Sequence, residues 1–575
     1  MQRLLAGILT GWIGLLGQVP VLSVPELKPD MEGVARTVFR GQDAEEFPLR
    51  ILGVMRNSGP GQDVILARLL TPRLEQTGVM QGMSGSPVYV GGKLVGAIAF
   101  AFPFAKEPIA GIRPIGEMLA TEAAGRGLRA EQVHLGSTQL VAKGETAVAG
   151  MPARVLTPIS FAGMTERTAS HFAEQWKQMG FVLQQGVGGG QGGAAASALK
   201  PGDMISVQLM RGGMNAGADG TVTHIAGKQI YAFGHRFLGG GAVEFPFAKA
   251  EVITPMPNLN LPFKISQSLE PMGAILFDGD AAVRGEIGRK PKLAPLRIVY
   301  RDGSGSKEYK IEMVRHGLLS PLLLQMAVFS TLDHHFRSAG VGTVDLKGSI
   351  RFAGVKQALE ISGRYAGDNN LPLAASLGAA IPLAFFQQHV EDELLPEEMS
   401  IELDARTARE QWVIESVGLS RRSVKPGERV TVRTLLSTAN GQEKTVEHEF
   451  QVPGWMSGGE TLTLTVSDAF TTNLLDFRSF YQPGGPVFRS TAALIESLGA
   501  LHPANAFYVR AFRTSPGFQS GGKELGNLPP SIAATLQKTP GSYLPVYQSR
   551  MLDREVKLAD GVVAGSKTLT LEVEK

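Results

Sequence analysis

The sequence predicts a mostly β protein with several domains, and three observations carry that expectation. Glycine and proline are frequent, 70 and 34 of 575 residues, which favours short strands and turns over long helices. Long stretches alternate apolar and polar residues between turn signals, the period of half-buried strands. One glycine-tight turn, "GMSGSP" at residues 82–87, runs straight into two short apolar segments split by Gly91, Gly92 and Lys93, the pattern of a strand, a tight hairpin and a second strand. A chain this long exceeds a single core, so about three or four domains are expected.

Composition narrows the class. Apolar residues make up 43% and charged residues 19%, values of a folded rather than a disordered chain. The formal net charge is only +3 and no basic block stands out, so nucleic-acid binding has no electrostatic support. The absence of cysteine excludes a thiol nucleophile, disulfides, Cys-based zinc sites and a lipidated cysteine anchor.

In chain order, Arg3 and the apolar run Leu4 to Gly17 have the form of a secretory signal peptide, with Val21 and Ser23 offering a poor cleavage site after Ser23; the apolar character that continues to Val24 leaves an uncleaved membrane anchor as the other reading. Residues 1–23 are therefore read as signal or anchor and the bulk of the chain as exported, to the periplasm or cell envelope. Residues 34–70 alternate as strands around the turn Asn57 to Gly61. The serine turn follows, and "IAGIRPIGEMLATEAAG" adds a strand and a short helix. Residues 162–179 read as an amphipathic helix with Phe172, Trp176 and Met179 on one face and Gly180 as its stop. "GVGGGQGGAAASA", residues 186–198, reads as a loop or linker. Strand patterns resume from about residue 200 to 315. A mixed region over 316–414 has helices near 321–336 and 381–395; residues 415–470 read as a β-sandwich module and 471–575 as an α+β region with a helix near 490–499.

The serine turn is the candidate chemistry. Gly82 and Gly85 permit backbone conformations that lift a side chain clear, and the N–H groups of Gly82 and Ser84 can converge as an oxyanion hole. The nucleophile elbow of α/β-hydrolases is excluded, since the fifth residue is Ser86 rather than glycine and Pro87 to Val90 is strand-like instead of helical. The order of parts fits a chymotrypsin-like arrangement, where Gly-x-Ser-Gly-x-Pro leads into a strand and a hairpin.

The segment "TGVMQGMSGSPVYVGGKLVGAIAFAF" followed by "IAGIRPIGEML" resembles the serine segment of the stage IV sporulation protein B (SpoIVB) serine peptidase family, whose motif is TGGIVQGMSGSP. "GTVTHIAGKQIYAFGHRF", residues 220–237, is similar to the family's other signature, a strand pair ending in Gly-His. The likeness covers roughly residues 34–315 and implies a double β-barrel peptidase domain over 24–315, with a serine half at 34–125 and a histidine half at 200–315. It implies a serine endopeptidase that performs limited cleavage of proteins or peptides without a cofactor, with Ser84 as nucleophile and His235 as base. The order departs from the family, where the histidine precedes the serine; a catalytic constellation is defined by geometry, so swapped order is compatible with two packed barrels. The family's aspartate is also missing, because Leu69, Leu70 and Thr71 stand at those positions, and the family's PDZ module is not evident. That departure leaves open a second reading, an envelope binding or scaffold protein that keeps the barrels.

Other candidate groups also suit plainer roles. Asp63 is the first candidate for a substitute acid and Glu75 the second, although Asp63 also suits a turn cap and Glu75 a solvated surface. His224, one strand before His235, is the rival base but reads as a strand-surface side chain. Ser86 is a second hydroxyl near Ser84. Asp333, His334 and His335 are adjacent and point to different sides of a helix, so they are not expected to bind a metal. Glu391 to Glu393 and Glu397 with Glu398 form a solvated acidic stretch, and the glycine-rich runs lack the context that phosphate binding requires.

Overall fold

The computed structural model describes residues 19–59, 61–102, 105–122, 134–135, 140–141, 153–186, 197–258, 261–335, 342–367, 370–389, 394–480, 491–499, 501–520, 523–525, 528–538, 544–558 and 560–574. Most of the N-terminal signal or anchor segment, most of the glycine-rich run and Glu391 to Glu393 lie outside the described residues. Strands dominate, and two of the sheets close on themselves.

The first barrel is built from β1 (Glu32–Thr37), β2 (Glu45–Gly59), β3 (Gln62–Leu69), β4 (Pro87–Val90), β5 (Lys93–Ala101) and β6 (Ile109–Pro114). They run in the order β4-β1-β2-β3-β6-β5, and the β4–β5 pairing closes the ring. Closure leaves no free edge along this sheet. Alternation explains its interior: Phe47, Leu49 and Ile51 on β2 point inward with Ile65, Ala67 and Leu69 on β3. The β4–β5 hairpin turns on Gly91 and Gly92, both at positive φ (56° and 75°), the conformation a two-residue turn needs to match strand twist.

The second barrel uses β7 (Met204–Gly212), β8 (Asn215–Ala226), β9 (Gln229–Ala232), β10 (Gly241–Met256), β11 (Phe263–Asp278) and β12 (Val283–Ile287). Their order is β8-β9-β12-β11-β10-β7, closed by β7 pairing with β8. The expected double barrel is therefore present, one ring on either side of the linker region. The second sheet does not stop at residue 315. Strand Leu293–Asp302 pairs in parallel with Pro396–Arg406, which continues into Gly342–Phe352 and Leu359–Gly367. Residues 316–414 thus extend the second barrel's sheet and share its core, because an apolar strand edge at Leu293–Asp302 is covered only when later strands join it.

The amphipathic helix forms at Glu166–Gln178, where Thr165 caps Thr168 N–H at 3.2 Å and Phe172 and Trp176 are buried. Helix Leu319–His335 lies as expected. The next helix spans Leu371–His389, starting ten residues before the expected 381. Its apolar sequence passes the length and hydropathy test for a membrane span, yet two thirds of that window is buried inside the protein, against helix Leu319–His335 and strand Leu359–Gly367.

The β-sandwich reaches past the expected end at residue 470. A four-stranded sheet (Gln411–Leu419, Arg429–Thr438, Glu443–Gln451, Val562–Ala564) faces a second sheet containing Thr461–Asp468, Ala506–Ser520, Leu544–Lys557 and Ser566–Val573. Val432, Leu436, Leu464, Val509 and Leu571 form one core between them. The region 471–575 supplies most of the second sheet and one strand, Val562–Ala564, of the first, rather than a separate unit. Sequence alternation marked those strands but could not say which sheet would cover which.

Candidate active site at the barrel boundary

The serine turn lies where the two barrels meet, and backbone hydrogen bonds fasten it there. Gly82 and Gly85 adopt φ of 88° and 95°. A Cβ on Gly85 would sit 2.0 Å from Thr221 O and 2.6 Å from Phe233 N, so only glycine allows the second barrel to close on this turn. Thr221 on β8 donates its N–H to Ser84 O (2.8 Å) and its hydroxyl to Gly82 O (2.9 Å); Thr223 donates its hydroxyl to Gly85 O (2.7 Å). Within the first barrel, Gly85 N–H donates to Ile98 O and Ser86 N–H to Met83 O. Among the described residues no carbonyl accepts from the N–H groups of Gly82 or Ser84, the two expected oxyanion donors.

Ser84 is fully buried and its Oγ has no hydrogen-bond partner; the same holds for Ser86 Oγ. A buried hydroxyl without a partner is costly, and such groups concentrate where chemistry needs them.

His235 comes from the second barrel, in the turn after β9. Phe233 has φ of 70°, rare for a bulky residue, and Gly234 follows at 69°. Gly234 packs on β5: a Cβ there would lie 3.2–3.3 Å from the side chains of Ala99 and Ala97. Arg113 Nε donates to Gly234 O at 3.4 Å, and the same guanidinium reaches Glu117 at 2.8 Å. His235 is 2% exposed. Its Nδ1 lies 2.8 Å from Arg236 O, and because a carbonyl only accepts, Nδ1 carries the proton and Nε2 keeps its lone pair. Nε2 is buried and unpartnered. Burial holds the imidazole down at about 4; the Arg236 carbonyl pulls up, and Arg154, Arg113 and Arg236 push down further. The ring is therefore neutral at pH 7, with the tautomer a base requires. No hydrogen bond joins Ser84 Oγ to His235 Nε2, and both groups are shut off from solvent, so the site is closed.

A carboxylate that sequence reading passed over organises the histidine loop. Asp278, the last residue of β11, is 1% exposed and accepts from the N–H groups of Phe237 (2.7 Å), Leu238 (2.5 Å), Gly239 (2.7 Å) and Gly240 (3.3 Å). Burial pushes its pKa up while these donors pull it back. It touches the loop and not the imidazole. Only the fold brings it there, across 40 residues of chain.

The two candidate acids are occupied elsewhere. Asp63 accepts from Arg56 (2.7 Å) and Asn57 N–H (3.0 Å) at the β2–β3 turn, and these bonds hold its pKa low. Glu75 is exposed on the short helix Pro72–Thr77. Leu69 belongs to the first barrel's core, and Thr71 stands at the N-terminal boundary of that helix without a side-chain capping bond. The partner on the second ring nitrogen is the Arg236 carbonyl. His224 is half-buried against Tyr231 on the strand surface. Asp333 pairs with Arg167 at 3.1 Å, and His335 Nε2 meets Tyr309 Oη at 2.5 Å while its ring stacks on Tyr300.

Two closed antiparallel barrels meet at a Gly-x-Ser-Gly turn, an arrangement consistent with a β-barrel peptidase fold. Residues 20–114 match the family model described as SpoIVB peptidase S55, so the first barrel and its serine turn are similar to that family's segment. The match ends at Pro114, the last residue of β6, and His235 lies outside it. No curated protein and no solved structure matches the chain.

Proposed function

We propose that the protein is an exported serine endopeptidase acting on protein or peptide segments, with Ser84 as nucleophile and His235 as base. One observation supports it most: a buried, unpartnered hydroxyl on one barrel and a buried imidazole with a free Nε2 on the other are both carried by turns that dock across the same boundary. Attack by Ser84 Oγ would pass its proton to Nε2, while the Gly82 and Ser84 N–H groups hold the oxyanion. A carbonyl in place of a carboxylate orients the ring but stabilises the imidazolium poorly, and in a full triad amide replacement of the acid costs on the order of 10⁴ in rate. Slow, limited cleavage follows from that, and from burial, which requires the boundary to open before substrate enters. The same burial favours a second reading, an envelope scaffold that retains the barrels without activity. Labelling with a fluorophosphonate probe separates them: label on the wild type that is lost in Ser84→Ala and in His235→Ala supports the peptidase. A wild type that never labels supports the scaffold, and label surviving Ser84→Ala removes the nucleophile.

A further inference from the structure

Two lysines are fully buried in the second barrel, and their surroundings differ. Lys249 Nζ lies 2.7 Å from Asp203 Oδ2 and 2.7 Å from Ser197 Oγ, a buried ion pair with its hydrogen bonds made. Lys264, on β11, has no such partner. Its Nζ donates to Thr37 Oγ1 across the barrel boundary at 2.7 Å and sits 6.0 Å from the centre of the Phe39 ring. Among the described residues no carboxylate is within ion-pair distance. The carboxylate that acts on it is Asp219 of β8, which is itself satisfied by the hydroxyls of Ser160 (3.0 Å) and Ser266 (2.6 Å). An ammonium buried without a direct ion pair is costly, and a methionine of similar length would avoid that cost.

The place of this lysine is informative. Gln81 N–H donates to Pro262 O at 2.8 Å, and Gln81 bridges Phe263 in parallel, so the start of β11 is strapped to the serine turn. The Lys264 stem therefore runs along Gly82: a Cβ on Gly82 would be 3.7 Å from Lys264 Cδ. Gly82 is one of the two N–H donors left open beside Ser84. A buried lysine with no direct ion pair thus passes beside the point where the proposed reaction creates an anion.

We propose that Lys264 is a catalytic residue of the oxyanion site, its ammonium stabilising the negative charge on the substrate carbonyl oxygen when Ser84 attacks. The proposal rests on the reading of Ser84 as nucleophile. In the step, Ser84 Oγ bonds to the carbonyl carbon, its proton passes to His235 Nε2, and the carbonyl π pair moves onto oxygen. The Gly82 and Ser84 N–H groups and the Lys264 ammonium hold that oxygen, and Lys264 keeps its proton throughout. Collapse restores the carbonyl, breaks the C–N bond, and the leaving amine takes the proton from His235. Water then repeats the sequence on the acyl-enzyme. Preorganised charge in a water-free site acts strongly because little dielectric screens it.

The charge state gives the test. Burial pushes Lys264 down to about 7, with Asp219 pulling up; Thr37, Phe39, Gly82 and Met204, which face it from other elements, carry no charge. The rate of fluorophosphonate labelling should rise above pH about 4 as His235 becomes neutral and fall above about 7 as Lys264 loses its proton. Lys264→Met should label on the order of 10²-fold more slowly at pH 6–7, lose the alkaline fall, keep the acid limb, and melt no lower than wild type. Lys264→Arg, where it folds, should keep the rate and move the fall beyond pH 9. A wild-type rate that is flat from pH 7 to 10 overturns the proposal without any variant. So does Lys264→Met labelling within threefold of wild type, or keeping the alkaline fall. Label that survives Ser84→Ala, or is absent from the wild type, overturns the reading of the nucleophile instead.

Discussion

The Thr221 amide donates to the Ser84 carbonyl across the barrel boundary at 2.8 Å, and the Thr221 hydroxyl donates to Gly82 O at 2.9 Å. One strand residue of the second barrel thus sets the backbone of the serine turn in the first. Docking of the barrels therefore fixes the backbone conformation of that turn.

Thr221→Val keeps the shape and removes the hydroxyl, leaving Gly82 O buried with one donor fewer. The expected loss is about 1–3 kcal/mol of stability, read by urea melts, together with slower probe labelling as the Gly82 peptide gains freedom to rotate. Wild-type labelling in a destabilised Thr221→Val would show that the turn is set without this strand.

Gly85→Ala should be far more damaging. The new Cβ would meet Thr221 O at 2.0 Å with φ at 95°, so either the turn or the barrel boundary must give way. Labelling of Ser84 should vanish while the chain remains folded, seen as retained far-ultraviolet circular dichroism with new protease-sensitive sites between the barrels. A fully labelled Gly85→Ala would contradict this docking of Gly85 against Thr221.

Acid should destabilise the protein through its buried imidazoles. Burial holds His235 and His316 at about 4, below the unfolded value near 6.5, so the unfolded chain binds these protons first. The stability that each neutral ring contributes is complete above about pH 6.5 and is lost as pH falls through 6.5 to 4, about 3 kcal/mol apiece. Urea melts between pH 4 and 7 should show this slope, and His235→Gln should reduce it. An unchanged slope in that variant would place the lost stability elsewhere.

Asp278→Ala should loosen the histidine loop without touching the serine turn. Four N–H groups lose their acceptor, so His235 should become solvent-reachable, with its carboxylate-free loop exchanging amide hydrogens faster at residues 237–240. Asp63→Asn and Glu75→Gln should leave labelling within about twofold, because neither carboxylate serves the imidazole. A tenfold loss in Asp63→Asn would restore it as the third group. Leu70→Asp, at a position of the missing family acid, should give no gain, since the Arg236 carbonyl already occupies His235 Nδ1.

Truncation after residue 470 should yield an insoluble chain. It removes strands Ala506–Ser520, Leu544–Lys557 and Ser566–Val573, leaving Val432, Leu436 and Leu464 without the face that covers them. Soluble expression of that fragment would separate the two sheets into independent units.

By itself, the sequence determined the local chemistry. Alternation and turn residues marked the strands of both barrels, the Gly91-Gly92 hairpin and the helix capped by Thr165, because each depends on neighbours a few positions apart. The serine turn was legible for the same reason: two glycines around Ser84 report a backbone conformation that few other residues allow. What only the tertiary structure decided is which distant groups share that turn. Thr221, Asp278 and Lys264 look like ordinary strand residues in the sequence, and the burial that leaves Ser84 Oγ and His235 Nε2 unpartnered has no local signature. Likewise, alternation at 566–573 says that one face is apolar but not that its sheet packs on the one begun at residue 411. Period and turn chemistry are short-range properties of the chain; electrostatics and partner choice depend on which surfaces are excluded from water together, and ring closure of the two barrels sets that.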